Sequence, residues 1–156
     1  ENGYTEPDPR DDLSGMDVGR KLTILAREVG HNLSIKDLEI EDLVADDLKN
    51  IEVSDFLNQL VKYDQKIEDR FNKAKEAGQT LRYIACLDKN GKGTIGLKEV
   101  NIDHAFSNIE LTDNIIQIKS LRYSNNPLII RGPGAGPLVT AGGIFSDLLL
   151  LVDGLH

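Results

Sequence analysis

The sequence has little of what several common protein classes need. It contains one cysteine in 156 residues, which excludes an internal disulfide and agrees with a reducing cytoplasm. No apolar run reaches the ~18 residues of a spanning helix, and the acidic start is unlike a signal peptide. Its 18 basic residues are outnumbered by 26 acidic ones, for a formal net charge of −8. We therefore expect a cytoplasmic protein with neither nucleic acid nor membrane as a partner, since both need clustered positive charge.

The length and composition predict one globular domain. A chain of 156 residues with 40% hydrophobic content has room for a sizeable core. The single cysteine, Cys86, lies in the apolar run 83–87, which predicts a buried and unreactive thiol. The three histidines are far apart in sequence and have no neighbouring ligand set, so no metal site is predicted.

Carboxylates are abundant at the start of the chain. They crowd into one short run that ends at a basic pair: Glu6, Asp8, Asp11, Asp12 and Asp17, followed by Arg20 and Lys21. Pro7 and Pro9 stiffen this run and push the residues before them toward extended conformations. Taken alone, Glu6, Asp8 and Asp11 are typical of a solvated acidic turn. Carboxylates and a lysine on stiff backbone also suit a small substrate that has an ammonium group and a reducible carbonyl.

A helix is predicted directly after this loop. Ser14 and Asp17 have the spacing of a capping box, the helix runs to about Glu28, and Gly30 provides a C-terminal cap. Its predicted core stripe consists of Val18, Leu22, Leu25 and Val29. Lys21 then lies about 60° from the centre of the stripe and Asp17 about 100° away on the same side. We expect both side chains at the rim of a cleft.

Spacing leaves two interpretations of Lys21. Lys21 could exchange a proton with a substrate hydroxyl, with partial burial lowering its pKa toward that role. It could equally form an ordinary surface pair with Asp17, which is the interpretation that spacing alone favours. From spacing, Asp17 is interpreted as the acidic partner of the capping box, at a helix N-terminus.

The remainder of the chain predicts short helices and strands. The helices are one capped by Ser54 with Phe56, Leu57, Leu60 and Val61 buried, one from Asp64 to Gly78 with Ile67, Phe71 and Ala74 buried, and one over 138–152. The strands are 38–44, a hairpin of 81–87 and 94–100 around Asn90-Gly91, 114–122 and 127–131. This order predicts an α+β fold with helices on one face of a largely antiparallel, possibly mixed, sheet. The sheet over about 81–131 is rich in isoleucine and leucine, and we expect it to mediate a homodimer.

Two segments resemble the homoserine dehydrogenase family. The first is Tyr4-Thr-Glu-Pro-Asp-Pro-Arg-Asp-Asp-Leu-Ser-Gly-Met-Asp-Val-Gly-Arg-Lys21 and its continuation to Arg27. The second is Asn126-Pro-Leu-Ile-Ile-Arg-Gly-Pro-Gly-Ala-Gly136, with 139–141 and 145–148 after it. Their spacing is most like that in the dehydrogenase half of bifunctional aspartokinase–homoserine dehydrogenases. The resemblance implies that residues 1–156 are a substrate-binding, catalytic and dimerisation domain, a fragment that lacks the preceding Rossmann nucleotide-binding half.

The resemblance also implies an activity and roles for particular residues. The parent enzyme would interconvert L-homoserine and L-aspartate 4-semialdehyde with NADP or NAD, in threonine and methionine biosynthesis. Lys21 would be catalytic, Asp17 would orient the lysine and the substrate, and Glu6 and Asp12 would receive the substrate ammonium. The alternative is a non-catalytic dimerisation or interaction module of a larger protein.

A glycine-rich loop comes after the last predicted strand. Gly132-Pro-Gly-Ala-Gly136 opens a helix as phosphate-binding loops do, but the βαβ unit and acidic residue of a dinucleotide fingerprint do not come after it. The family resemblance instead implies that Gly134, Ala135 and Gly136 lie near the nicotinamide end of the cofactor. It further implies that the helix over 137–152 packs on the missing half, so we expect the isolated chain to be inactive.

Overall fold

The computed structural model describes residues 7–110 and 112–154, which form two compact units divided between Ile102 and Asp103. The helices of the first unit are α1 (Pro9–Leu13), α2 (Met16–Glu28), α3 (Val53–Leu60) and α4 (Asp64–Glu76), and its strands are β1 (Glu39–Ile40), β2 (Gln79–Leu87) and β3 (Gly93–Asn101). The second unit contains β4 (Asp113–Ile118), β5 (Leu128–Pro133) and α5 (Pro137–Asp153). Within the described ranges, no helix is long and apolar enough to cross a membrane.

The first unit is built on a mixed three-stranded sheet in the order β1-β3-β2. Strand β1 runs parallel to β3, and β2 pairs with β3 as the predicted antiparallel hairpin. Its loop is closed by Asp88, whose carboxylate accepts the backbone N–H groups of Asn90 and Lys92, both at 2.8 Å. Gly91 supplies the positive φ of +83°. The α+β class and the largely antiparallel pairing are therefore confirmed.

The start of α2 differs from the predicted capping box. The N-cap is Gly15, in the left-handed region at φ +73°, and the hydroxyl of Ser14 before it accepts the Met16 N–H at 3.3 Å. Ser14 instead closes α1, a helix that was not predicted, and its hydroxyl donates to the Asp11 carbonyl at 2.9 Å. Because α1 uses Ser14 as its C-cap, α2 begins one residue later and Asp17 is not in the capping-box position. The predicted end of α2 is confirmed, with Gly30 at φ +92°.

The buried face of α2 also differs from the predicted stripe. It consists of Gly19, Leu22, Thr23 and Ala26. Leu25 and Val29 are exposed, by 43% and 68%. Gly19 allows the helix to approach β1 closely, since a Cβ there would lie 3.3 Å from Ile40 Cδ1. The hydrophobicity pattern missed this face because a glycine and a threonine form half of it.

A second packing centre joins α1, α3 and the loop before α3. Phe56 and Leu48 are fully buried and contact Val44. Of the predicted faces of α3 and α4, only Phe56 and Ala74 are buried; Leu57, Val61, Ile67 and Phe71 are exposed. The predicted strand over 38–44 shortens to β1 because residues 42–48 turn away to build this centre.

Cys86 is exposed rather than buried. It lies opposite Thr94 in the β2–β3 ladder. On the same strand, Tyr83 points to the other face, where it meets the start of α2. The apolar run around Cys86 therefore belongs to a strand of which only one face is covered by α2.

The second unit has an antiparallel sheet of its own. Strands β4 and β5 pair from Asp113↔Pro133 to Ile118↔Leu128. The prediction of one continuous sheet over about 81–131 is therefore wrong, since β4–β5 and β1-β3-β2 are separate sheets. Helix α5 comes after the loop at Gly136, as predicted, and buries none of its residues.

Candidate functional site

Asp17 and Lys21 form the centre of the candidate site. Lys21 Nζ lies 2.8 Å from Asp17 Oδ2, one helical turn away on α2. Both side chains are more than half exposed. At 100° per residue they lie about 150–170° from the centre of the buried helix face. They therefore project from the outer face of α2, and the rim position expected from the predicted stripe is wrong.

Apolar side chains flank this ion pair. Ile24 and Leu25 come after Lys21 on the outward part of α2 and are exposed by 59% and 43%. An exposed ion pair between solvated side chains contributes little to stability, typically under about 1 kcal/mol. Flanked by apolar side chains, the same pair would interact more strongly once another surface excluded water from it.

The loop before α2 is ordered by an arginine that the sequence pattern did not indicate. Both side-chain oxygens of Asp8 accept from Arg10, at distances of 2.7–3.1 Å, and Asp8 also caps α1 through the Arg10 N–H. The hydrogen bonds from the Arg10 side chain hold the pKa of Asp8 below its usual range. A helix-capping residue directly before a proline is a recognised start signal, so Asp8-Pro9 could have revealed α1.

Arg10 also ties α1 to the rest of the first unit. Its Nη1 donates to the carbonyl oxygens of Leu48, Lys49 and Ile51, at 3.4, 3.1 and 2.7 Å. The guanidinium lies 5.6 Å from the centre of the Phe56 ring. The segment that leads to Asp17 and Lys21 is thus fixed by one side chain that contacts three carbonyls and an aromatic ring.

The other predicted substrate-binding residues lie N-terminal to this pair. Asp12 is on α1 with its side chain exposed, and α1 packs against α2. Glu6 lies outside the described residues. Asp8 and Asp42 border an open depression of about 380 Å³ beside α1, and each is already paired, with Arg10 and with Lys49.

The predicted cofactor loop belongs to the second unit. Gly134, Ala135 and Gly136 connect β5 to α5, and Gly134 N–H donates to the Thr112 carbonyl at 2.8 Å. Any side chain at Gly134 would overlap the amide of Asn114, and Gly136 has φ +125°. Glycine is therefore favoured at 136 by the backbone conformation and at 134 by the space that the Asn114 side chain takes up.

The arrangement around Lys21 can hold and deliver a proton. The ammonium lies 2.8 Å from a carboxylate, and both groups reach solvent or a bound molecule. No group of three or more His, Cys, Asp or Glu side chains that could hold a metal ion occurs in 7–110 and 112–154. Fold and site together define an α+β domain that presents a carboxylate–ammonium pair on an exposed helix face.

Comparison with known proteins specifies this class. The homoserine dehydrogenase family profile matches residues 1–149. Bifunctional aspartokinase/homoserine dehydrogenase 2 of Arabidopsis thaliana is 48% identical over 153 residues, which cover 97% of this chain and 17% of that protein. Homoserine dehydrogenase of Paracoccidioides brasiliensis is 42% identical over 157 residues, or 99% of this chain and 42% of that protein. A Candida auris protein of unknown function has a crystal structure that matches with a TM-score of 0.92 at 39% identity, covering 98% of this chain and 43% of that one.

The chain belongs to the homoserine dehydrogenase family. This confirms the resemblance carried by the two sequence segments, and the matched region contains Asp17 and Lys21. The chain spans only 17% of the Arabidopsis relative and 42% of the Paracoccidioides relative.

Proposed function

We propose that this chain is the substrate-binding and proton-transferring portion of a homoserine dehydrogenase. The parent enzyme interconverts L-homoserine and L-aspartate 4-semialdehyde with NAD or NADP, in amino-acid biosynthesis. The observation that carries the proposal is the Lys21–Asp17 pair, 2.8 Å apart on the outward face of α2 in a chain of this family.

The Lys21–Asp17 pair would handle the proton that the reaction adds to, or removes from, the substrate oxygen. In the reducing direction, a bound nicotinamide cofactor would supply hydride to the aldehyde carbon of the substrate, and the carbonyl π electrons would pass to the substrate oxygen. The Lys21 ammonium donates its proton to that oxygen and is left neutral, so the product is an alcohol. Asp17 orients the lysine through their ion pair. Oxidation of homoserine reverses each step.

The substrate ammonium needs carboxylates as partners. We assign this role to Glu6 and Asp12, as the family resemblance implies. Asp8 is less suited, because both of its oxygens already accept from Arg10. Anchors on or next to stiff, proline-containing backbone lose little entropy on binding.

Cofactor binding is assigned mainly to a Rossmann half that precedes this chain in the parent protein. The loop of Gly134, Ala135 and Gly136 would border the nicotinamide end, where glycines permit close backbone approach. Helix α5 would pack on that half, which would cover its exposed residues, among them Leu148 and Leu151. The ribose-reading residues that separate NAD from NADP would lie there too.

We also propose that the parent forms a homodimer through the exposed apolar face of the β4–β5 sheet. Ile116 and Ile118 of β4 lie opposite Ile130 and Leu128 of β5, and all four are exposed by 38–51%. Cross-strand partners share a face, so these side chains form one apolar patch. Closed twofold pairing is the commonest way to cover such a patch.

The second candidate function is a non-catalytic interaction module. The exposed apolar face of β4–β5 and the absence of any buried residue on α5 favour it. The two candidates differ in whether the chain binds homoserine at Glu6, Asp12 and Lys21. A cytoplasmic location stays a prediction, and the Arabidopsis relative is named as chloroplastic.

The proposed function is tested by assaying the isolated chain beside the full-length parent. Both are incubated with homoserine and either nicotinamide cofactor, and the absorbance of the reduced cofactor is followed. We expect sustained turnover from the parent and none from the isolated chain, because hydride transfer needs a positioned cofactor. Calorimetry should detect weak homoserine binding by the isolated chain. A parent without turnover, and a chain that does not bind homoserine, would favour the interaction module.

A further inference from the structure

The start of α2 rests on the hydroxyl group of Tyr83. Gly15, the N-cap of the helix, is buried, and a Cβ at this position would overlap Tyr83 Oη. The same Cβ would lie 3.0 Å from Tyr83 Cζ and 3.0 Å from Ile40 Cγ2. The backbone therefore approaches the tip of the tyrosine as closely as only glycine allows.

Tyr83 is itself held in place from the other side. Its hydroxyl donates to the Glu41 carbonyl oxygen at 2.7 Å. The Glu41 carboxylate accepts from Leu97 N–H at 2.8 Å and from Arg70 Nη1 at 2.7 Å. Burial, with the nearby Glu41 and Asp42 charges, raises the pKa of Tyr83, so the hydroxyl keeps its proton at neutral pH. A chain of direct contacts thus runs from Arg70 through Glu41 and Tyr83 to Gly15.

This contact bears on the candidate site because Gly15 immediately precedes the helix that carries the ion pair. Asp17 is two residues on and Lys21 six residues on, within the first two turns. Gly15 has no side chain to cap the helix, and its carbonyl accepts the Gly19 N–H at 2.9 Å. The position of Gly15 therefore sets where α2 starts and the direction in which the Asp17–Lys21 pair projects.

We propose that Tyr83 is a positioning residue for the reaction. Its hydroxyl, which is hydrogen-bonded to the Glu41 carbonyl, packs against Gly15 and thereby fixes the start of the helix that carries Asp17 and Lys21. The inference rests on the proposed function. Tyr83 acts through Gly15 and does not itself exchange a proton. Removing the hydroxyl leaves a gap beneath Gly15, which lets the first turn of α2 move while the rest of the unit stays folded.

The test is Tyr83→Phe in the full-length parent enzyme, which removes the hydroxyl and keeps the ring. The matched control is Tyr63→Phe, because the Tyr63 hydroxyl donates to an acidic side chain, Asp47, and Tyr63 is not among the nearest neighbours of a Cβ at Gly15. We expect Tyr83→Phe to lower kcat about tenfold, the effect of a small misplacement of a catalytic group. The KM for the cofactor and the melting temperature should change no more than in the control. Amide hydrogen exchange over 15–20 should be faster in Tyr83→Phe alone.

Three outcomes overturn the inference. The first is a kcat of Tyr83→Phe equal to that of wild type, and the second is amide exchange over 15–20 equal to that of Tyr63→Phe. The third is a loss of kcat together with a melting temperature below that of Tyr63→Phe, which would indicate general destabilisation. Lys21→Ala, assayed in parallel, distinguishes failure of the positioning role of Tyr83 from failure of the proposed function. If Lys21→Ala is inactive and Tyr83→Phe behaves as wild type, only the positioning role is wrong. If Lys21→Ala is fully active, the proposed function is wrong.

Discussion

At the scale of single residues, some charged side chains of the first unit bind backbone groups as well as one another. Glu41 is an example. Strand β1 ends at Ile40, opposite Ile95, so it does not extend alongside Leu97 of β3. The Glu41 carboxylate accepts that N–H, and Arg70 donates to that carbonyl. Position 96, next to Leu97, leaves room only for glycine, since a Cβ there would lie 2.6 Å from Glu41 Oε2.

The stability of the first unit should therefore depend on the charge of Glu41. Burial tends to raise the pKa of Glu41, but hydrogen bonds from Arg70 and Leu97 outweigh it and hold the pKa below its ordinary 4.5. A lowered pKa in the folded state gives stability that is present above about pH 4.5 and is lost as pH falls through the folded value. We expect Glu41→Gln to lower the urea midpoint at pH 7, with a smaller difference from wild type in acid. Glu68→Gln, exposed on α4, is the control; a pH-independent difference would contradict this dependence on charge.

The sequence could predict individual site residues only where spacing is local. Asp17 and Lys21 are four residues apart on one helix, so their pairing follows from helical geometry. Tyr83 and Gly15 are far apart in sequence, as are Arg10 and Ile51, and no local pattern joins them. The outward direction of the pair was also missed, because Gly19 and Thr23 do not register as core residues.

At the scale of secondary structure, glycines at positive φ mark the start and end of α2 and the end of α4. Gly30 and Gly78 lie just beyond the ends of α2 and α4, and Gly15 lies before the start of α2. The two C-terminal positions are predictable, because glycine after a helical stretch is a strong stop signal. Gly15 was not, because Ser14 beside it offered the more familiar N-cap.

Two alanine substitutions separate backbone strain from collision. Gly15 and Gly78 have nearly the same φ, +73° and +69°. A Cβ at Gly78 meets nothing within 4 Å, whereas one at Gly15 meets Tyr83 and Ile40. Gly78→Ala should cost only the left-handed penalty of roughly 1–2 kcal/mol in the free energy of unfolding. Gly15→Ala should cost clearly more. Equal losses in urea denaturation would show that Tyr83 does not restrict Gly15.

At the scale of the whole molecule, much apolar surface is left uncovered. In the second unit, the paired strands β4 and β5 carry exposed isoleucine and leucine, and α5 is exposed along its whole length. The sequence predicted these strands and this helix, but it predicted one sheet where there are two. Strand pairing is a non-local property, so the identity of each strand was easier to predict than its partner.

The proposed dimer is tested by changing one side of β4. Ile116 lies on the apolar patch, and its neighbour Gln117 points to the opposite face of the sheet. We expect sedimentation equilibrium of the parent at tens of micromolar, a concentration suited to ordinary affinities, to give a dimer for wild type and Gln117→Lys. Ile116→Lys should weaken the dimer. A monomeric wild type, or a dimer unaffected by Ile116→Lys, would contradict this interface.

The most direct test of the central claim is the turnover of Lys21→Ala in the full-length parent with homoserine and cofactor. The matched control is Lys36→Ala, another exposed lysine of the first unit. We expect kcat to fall by roughly 10²–10⁴-fold in Lys21→Ala, the contribution of a positioned proton donor, and to be unchanged in Lys36→Ala. Because Lys21 is more than half exposed and makes a surface ion pair, the melting temperature should hardly change. Near-normal turnover of Lys21→Ala would contradict the claim that this chain carries the proton-transfer site.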